Sequence, residues 1–168
     1  MTKVILTVIG TDRPGLTGAL ADAVLAAGGN WLESQLARLG GKYVGCVLVE
    51  LPAEQLDTLL AGVDATGLKV DIVAAGNAPP TGTPLSLSVV GQDQPGIVRD
   101  VTAVLAAIGV NIERLETALK DGAWSGARLF TAEADLLLPQ GVSEADVRGA
   151  LEAISAEIMV DVTVGRRP

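Results

Sequence analysis

The chain has 168 residues, of which 49% are hydrophobic and only 2% aromatic, and its formal net charge is −8. A nucleic-acid-binding protein normally carries a basic patch and often stacking aromatics, so we expect no direct contact with nucleic acid. With no His and one Cys, the chain cannot build a Ser-His or Cys-His nucleophile or a zinc site. Carboxylate or Lys chemistry is the alternative, but no carboxylate pair or buried Lys stands out, so we expect a non-enzymatic protein without a metal or cofactor.

The apolar runs of the sequence are short. None reaches the ~18 residues that a membrane-spanning helix needs. The first residues lead directly into a strand-like run and do not follow a signal-peptide pattern. We expect a cytoplasmic protein with no membrane contact.

The first half of the sequence predicts the order strand, helix, strand, strand, helix, strand. Residues 2–9 are apolar on both faces, which predicts a strand buried on both sides. Residues 14–27 have apolar positions at helical spacing, and Gly28 and Gly29 should end that helix. The remaining elements are predicted at residues 31–39, 43–51, 52–67 and 68–74.

A linker rich in Pro, Gly and Thr, residues 75–83, divides two predicted domains, 1–74 and 84–168. The second half repeats the order of the first, and Ser143 with Asp146 resembles a capping box. Its hairpin is six residues longer, and the extra length is predicted around Trp124. The elements are predicted at residues 85–90, 95–108, 111–120, 128–138, 143–155 and 158–164.

One short stretch occurs twice, each time between the first strand and the first helix of a half. The two copies lie 81 residues apart and are Gly10-Thr11-Asp12-Arg13-Pro14-Gly15-Leu16 and Gly91-Gln92-Asp93-Gln94-Pro95-Gly96-Ile97. An Asn follows each helix at the same offset, as Asn30 and Asn111. A repeat of this length indicates a duplicated domain and not a solenoid unit.

The residue types of this stretch suit an anion-binding turn. Pro fits the first turn of a helix, and the preceding Asp can cap the helix by accepting from a free amide. The Gly lets a ligand approach the backbone without a Cβ in the way. Free amides and the helix dipole favour a carboxylate or phosphate. The alternative is an ordinary strand-to-helix turn with a good cap.

A βαββαβ unit with Asp-x-Pro-Gly-[Leu/Ile] after its first strand and Gly-x-Asn before its second resembles an ACT domain. Two such units on one chain resemble the free-standing tandem-ACT regulators, some of which repress transcription. The resemblance implies an α+β fold: two ferredoxin-like βαββαβ domains in tandem, with antiparallel sheets and helices on one face.

The resemblance also implies ligand sites, because ACT domains bind small ligands, mostly amino acids, between this turn and a neighbouring domain. The implied residues are Asp12, Arg13, Pro14, Gly15, Leu16 and Asn30 in one site, and Gln92, Asp93, Gln94, Pro95, Gly96, Ile97 and Asn111 in the other. Serine-type recognition is in doubt, because some serine-binding ACT domains have a His and an Asn where this chain has Gly10 and Asp12, and Gly91 and Asp93. Each Asn could instead be a left-handed turn residue. Because Gln94 replaces Arg13, the two sites cannot be equivalent.

The leading hypothesis is a non-catalytic sensor that binds an amino acid and regulates transcription or amino-acid metabolism through a regulatory protein partner. The alternative is a structural or oligomerisation module without a metabolite ligand. In either case the exposed sheet edges of small βαββαβ domains favour a homodimer.

Overall fold

A computed structural model of the chain describes residues 1–76, 78–121 and 128–166. The chain divides into two compact units, Met1–Ala78 and Pro79–Pro168. The first unit contains β1 (Thr2–Thr11), α1 (Leu16–Ala26), β2 (Asn30–Leu39), β3 (Lys42–Leu51), a 3-10 helix (Ala53–Gln55), α2 (Leu56–Asp64) and β4 (Lys69–Ala74). The second contains β5 (Thr83–Gln92), α3 (Ile97–Ala107), β6 (Asn111–Asp121), β7 (Arg128–Leu138), α4 (Glu144–Ser155) and β8 (Val160–Arg166).

Each unit is one four-stranded antiparallel sheet with two helices. The strand orders are β2-β3-β1-β4 and β6-β7-β5-β8, so β2 and β6 form equivalent edges. This is the ferredoxin-like α+β arrangement predicted from the order of the elements. The duplicated turn connects the central strand of each sheet to the helix that follows it.

The core of each unit lies between the sheet and its helices. In the first unit Leu6 on β1, Leu20 on α1 and Leu59 on α2 are each fully buried. Burial of a Leu side chain contributes about 1.5–3 kcal/mol. The prediction that β1 is buried on both sides is wrong, because Thr7 is exposed and Ile9 is 49% exposed. The helices pack on one face of the sheet and leave the other uncovered.

Several boundaries differ from the prediction. Helix α1 begins at Leu16 and not at Pro14, because residues 12–15 form the turn. The final strand begins at Val160, two residues later than predicted. The capping box of Ser143 and Asp146 at the start of α4 is confirmed. The extra length predicted around Trp124 lies outside the described residues, apart from Asp121 at the end of β6.

Candidate functional site

The turn between β1 and α1 presents the amides of the helix N-terminus. Gly15 is the N-cap residue, with φ 87° in the left-handed region, and no described side chain accepts from the first-turn amides as a cap. The proposed capping role of Asp12 is therefore wrong. A Cβ built on Gly15 meets no described atom within 4 Å, so the space beside these amides is open. The amides of Leu16 and the next two residues precede the first intrahelical bond, which Ala19 donates to the Gly15 carbonyl at 2.9 Å.

Two side chains of the turn tie it to other elements of the first unit. Asp12 forms an ion pair with Arg38 near the end of β2, with 3.1 Å between Oδ2 and Nε. Arg13 donates from its guanidinium to the carbonyl of Thr66 at 2.7 Å. Thr66 lies in the loop before β4 and is buried. The turn is thus held on one side by the edge strand and on the other by the loop before β4, with Pro14 exposed between them.

The second unit repeats this arrangement with different residue types. Gly96 caps α3 with φ 102°, again with no side-chain cap among the described residues. Gln94 donates to the carbonyl of Ile158 at 2.5 Å. Asp93 faces Arg128 at 3.7 Å and does not cap the helix. Gln92 ends β5 and Pro95 lies in the turn, while Ile97 is buried at the first helical position.

Neither Asn lies next to the turn of its own unit. Through its strand pairing with Glu50, Asn30 lies level with Lys3 near the start of β1. The turn follows Thr11 at the other end of β1, and the eight residues of extended strand from Lys3 to Thr11 span about 26 Å. Asn111 lies at the corresponding end of β6, where its amide donates to Glu113. A ligand touching both a turn and an Asn therefore needs the Asn of another domain.

The left-handed alternative for the two Asn residues is wrong. Both open a β-strand, and the one non-glycine residue with positive φ in the described part of the chain is Met159. Gly28 and Gly109 take the left-handed position after each helix instead. This leaves the Asn side chains at strand ends, where they do not terminate the helix.

The charges around the two turns differ. Among the described contacts of the first turn there are three cationic side chains, Arg13, Arg38 and Lys42, and one carboxylate, Asp12. Lys42 Nζ lies 3.4 Å from the hydroxyl of Thr11, so it belongs to the same cluster. The first turn is therefore a positively charged place on a chain whose net charge is −8.

Near the second turn the charges balance. Asp93 pairs with Arg128, and Asp100 in the first turn of α3 pairs with Arg99 at 2.7 Å. A Cβ on Gly96 would lie 3.5 Å from Asp100 Oδ2, so this carboxylate borders the amides of α3. Because like charges repel, Asp100 disfavours a second anion there. The first turn is the better carboxylate site.

These charged neighbours were not predicted, although two signals were available. The Gly40-Gly41 hairpin sets Leu39 against Lys42, which brings Arg38 level with the end of β1. Comparison at the offset of 81 sets Asp100 against Ala19. The hairpin register would have placed Arg38 near the first turn. The comparison at the offset of 81 would have shown that Asp100, near the second turn, has no acidic counterpart in the first domain.

The family follows from a comparison with known proteins. The model of a family described as ACT domain matches residues 2–73 and 83–135, more than half of the chain. The chain belongs to the ACT domain family. The resemblance inferred from the motifs is confirmed, and each unit of the fold is an ACT domain.

Two curated proteins are similar along nearly the whole chain. The glycine cleavage system transcriptional repressor of Escherichia coli (strain K12) is 22% identical over 160 residues, covering 92% of this chain and 84% of that protein. The phosphoserine phosphatase SerB2 of Mycobacterium tuberculosis is 28% identical over 171 residues. That match covers 96% of this chain but 40% of the phosphatase.

Two solved structures share the tandem ACT fold. A protein of unknown function from Galdieria sulphuraria has a TM-score of 0.87 and 29% identity, with 99% of both chains covered. A candidate glycine cleavage system transcriptional repressor has a TM-score of 0.73 and 14% identity, covering 99% of this chain and 98% of that one. The second likeness establishes the fold alone.

Two other kinds of feature are absent from the described part of the chain. In the described ranges, no three His, Cys, Asp or Glu side chains come together as a metal-ligand group. No helix in those ranges has the length and apolar character to cross a membrane.

Proposed function

We propose that this chain is a non-catalytic regulator that binds a small amino acid by its carboxylate at the turn before α1. The observation that carries the proposal is the open N-terminus of α1, where Gly15 leaves backbone amides uncapped in a turn that also contains Arg13 and is contacted by Arg38 and Lys42. Membership of the ACT domain family supports a regulatory, ligand-binding role. The second turn, bordered by Asp100, would bind a carboxylate more weakly.

The helix N-terminus alone does not supply enough free energy to bind an amino acid. A carboxylate at a helix N-terminus gains about 0.3–1 kcal/mol when exposed and up to ~2 kcal/mol when partly buried. Millimolar affinity alone corresponds to about 4 kcal/mol. The remaining free energy must come from the neighbouring cations, the ligand side chain and a second domain.

A second copy of the chain can supply that domain. Strand β2 is a ten-residue sheet edge with only two charged residues, Glu33 and Arg38. Uncovered edges of this kind favour strand pairing. Antiparallel pairing of two β2 strands would set the first residue of one strand beside the last residues of the other. The second copy's Asn30 would then approach the turn that Asp12 ties to Arg38, and a homodimer would complete the ligand site.

The regulated process is proposed from the similar proteins. One curated relative is named a glycine cleavage system transcriptional repressor, so we propose control of transcription or amino-acid metabolism, glycine cleavage included. The acidic chain favours action through a protein partner in the cytoplasm over direct contact with DNA. For regulation, the ligand must bind one conformation or assembly more tightly than another.

Calorimetry and thermal unfolding of the full chain test the proposal. Glycine, L-serine, L-alanine and the other amino acids are titrated, and each hit is compared with its carboxamide, which lacks the carboxylate. We expect the carboxamide to bind at least ~10-fold more weakly, since charge-assisted hydrogen bonds are about twice as strong as neutral ones. A ligand at ~100 times its Kd should stabilise the fold by about 2.7 kcal/mol.

Two matched variants locate the site. Arg38→Gln should weaken binding at the first turn, whereas Asp100→Ala should strengthen binding at the second by removing the carboxylate beside Gly96. Sedimentation with and without ligand measures the dimer. If no amino acid at millimolar concentration shifts melting while the chain remains dimeric, the regulator proposal fails and the structural module is correct.

A further inference from the structure

The second ACT domain contains a small apolar cavity beside its turn. The cavity has a volume of about 20 Å³ and lies between α3 and the strands β6 and β7. Three of its lining side chains are Val98 on α3, Leu115 on β6 and Phe130 on β7. Val98 and Leu115 are each 42% exposed, so the cavity opens toward the sheet edge. Val98 follows the turn by two residues, within reach of a small ligand held at Gly96.

The polar residue that lines this cavity is already satisfied by its own helix. Thr102 donates its hydroxyl to the carbonyl of Val98 at 2.8 Å and lies 3.2 Å from the carbonyl of Arg99. A threonine hydroxyl has one hydrogen to donate. The lining therefore offers a ligand apolar surface and no free donor from Thr102.

The corresponding place in the first ACT domain carries hydroxyl groups. Thr17 stands where Val98 does and Ser34 where Leu115 does, both at the offset of 81. Tyr43 occupies the position equivalent to Phe130. Tyr43 pairs with Gly10 on β1, and Phe130 pairs with Gly91, the equivalent glycine on β5. Three positions that line the cavity in the second domain are therefore occupied by hydroxyl-bearing side chains in the first.

Two of these hydroxyl groups, those of Thr17 and Tyr43, are hydrogen-bonded to each other. The Oγ1 of Thr17 and the hydroxyl of Tyr43 are 2.9 Å apart, and Tyr43 is only 7% exposed. Their mutual hydrogen bond uses one of two hydroxyl hydrogens and leaves the other, with several lone pairs, for a ligand. Ser34 pairs with the buried Val47 and so lies on the same helix-facing side of the sheet.

We propose that the two ACT domains select different amino acids, the first a small side chain with a hydroxyl group and the second a small aliphatic one. This inference rests on the proposed function and assigns the ligand class at each turn. A cavity of about 20 Å³ holds roughly one water-sized group, so it takes one methyl group of a small aliphatic side chain and excludes an aromatic ring. The chain would then respond to two metabolites.

The two selectivities should differ in strength. A site built to hydrogen-bond a ligand hydroxyl can reject the analogue that lacks it by up to ~10⁴-fold, because its polar groups are left unpaired. An apolar pocket rejects a hydroxyl-bearing isostere by only about 100-fold. L-Threonine and L-valine have nearly the same shape, so their affinities report polarity and not size.

The test uses calorimetry on the full chain with L-serine and L-threonine against L-alanine and L-valine. The double variant Thr17→Val with Tyr43→Phe removes both hydroxyls of the pair. It should weaken binding of the hydroxyl-bearing ligands at least ~10-fold and leave the aliphatic ligands unchanged. The reciprocal variant, Val98→Thr with Phe130→Tyr, should weaken the aliphatic ligands and create a second site for L-serine or L-threonine.

Urea unfolding establishes that each variant folds, and Tyr43→Phe alone provides a milder second variant. If these amino acids bind but neither double variant changes the preference, the assignment of ligand classes is overturned and the proposed function stands. If no amino acid binds the wild-type chain, the proposed function fails and the assignment fails with it.

Discussion

Arg13 and Gln94 occupy the same place in the two ACT domains and make the same hydrogen bond. Arg13 donates to the carbonyl of Thr66 at 2.7 Å, and Gln94 donates to the carbonyl of Ile158 at 2.5 Å. Each acceptor lies in the loop before the last strand of its domain. The substitution therefore preserves the anchor of the turn and removes only its charge.

This relationship predicts that anchoring and charge can be separated. Arg13→Gln should leave the free energy of unfolding nearly unchanged and weaken carboxylate binding at the first turn. Arg13→Ala should weaken both, with a loss of about 1–3 kcal/mol of stability because the buried Thr66 carbonyl loses its donor. Urea unfolding and calorimetry measure the two effects. Equal destabilisation by Gln and Ala would contradict the shared anchor.

Much of the fold could be predicted from the sequence, because its signals are local. The helical spacing of apolar residues and the glycines after each helix located the elements to within a few residues. Charge at the site was harder to predict, because Arg38 and Lys42 reach the turn only through the hairpin register.

Two errors had physical causes that composition does not reveal. Residues Ile5 and Ile9 made β1 look buried on both sides, but both helices pack on the opposite face. The Asp before each Pro matched a helix cap, yet Asp12 and Asp93 pair with arginines instead. In both turns a left-handed glycine, which has no side chain, forms the N-cap and leaves the first-turn amides uncapped.

The two glycines at the start of α1 should respond oppositely to substitution. Gly15 has a left-handed φ of 87°, so Gly15→Ala should cost about 1–2 kcal/mol although the surrounding space is open. Gly18 lies within the helix and also faces open space, so Gly18→Ala should stabilise by about 0.5–1 kcal/mol. Urea unfolding of both variants measures the difference. Equal shifts for the two would mean that Gly15 does not keep this conformation in solution.

The capping box of α4 predicts a dependence of stability on pH. The pKa of Asp146 is lowered, first by the hydrogen bond from the Ser143 hydroxyl at 2.6 Å and second by the Ser143 amide at 2.8 Å. Because the folded pKa lies below the unfolded one, this stabilisation is present above the unfolded pKa and is lost as pH falls through the folded pKa.

Asp146→Asn should therefore lower the urea midpoint at neutral pH and approach the wild type below about pH 4, where an ordinary Asp becomes protonated. Ser143→Ala removes the hydroxyl donor but keeps the backbone amide donor to Asp146, so it should reduce the same pH dependence. The measurement is the unfolding midpoint at several pH values. A difference between Asp146→Asn and wild type that stays constant into strong acid would contradict the role of the ionised carboxylate.

A left-handed position just before the last strand is occupied differently in the two domains. Gly67 has φ 79° and lies two residues before β4, whereas Met159 has φ 50° and immediately precedes β8. The two positions follow the equivalent residues Thr66 and Ile158, which accept from Arg13 and Gln94. A side chain in the left-handed region costs roughly 1–2 kcal/mol, and Met159 is 55% exposed, so it gains little from burial.

Met159→Gly should therefore stabilise the second domain, by about 1 kcal/mol after the greater chain entropy of glycine is subtracted. Gly67→Met is the matched control and should destabilise the first domain by a similar amount, because no described atom lies within 4 Å of its Cβ to add a clash. Urea unfolding of both variants measures the two free energies. If Met159→Gly instead destabilises, the exposed methionine makes a contact in solution that outweighs its backbone strain, and the cost assigned here to the left-handed residue is wrong.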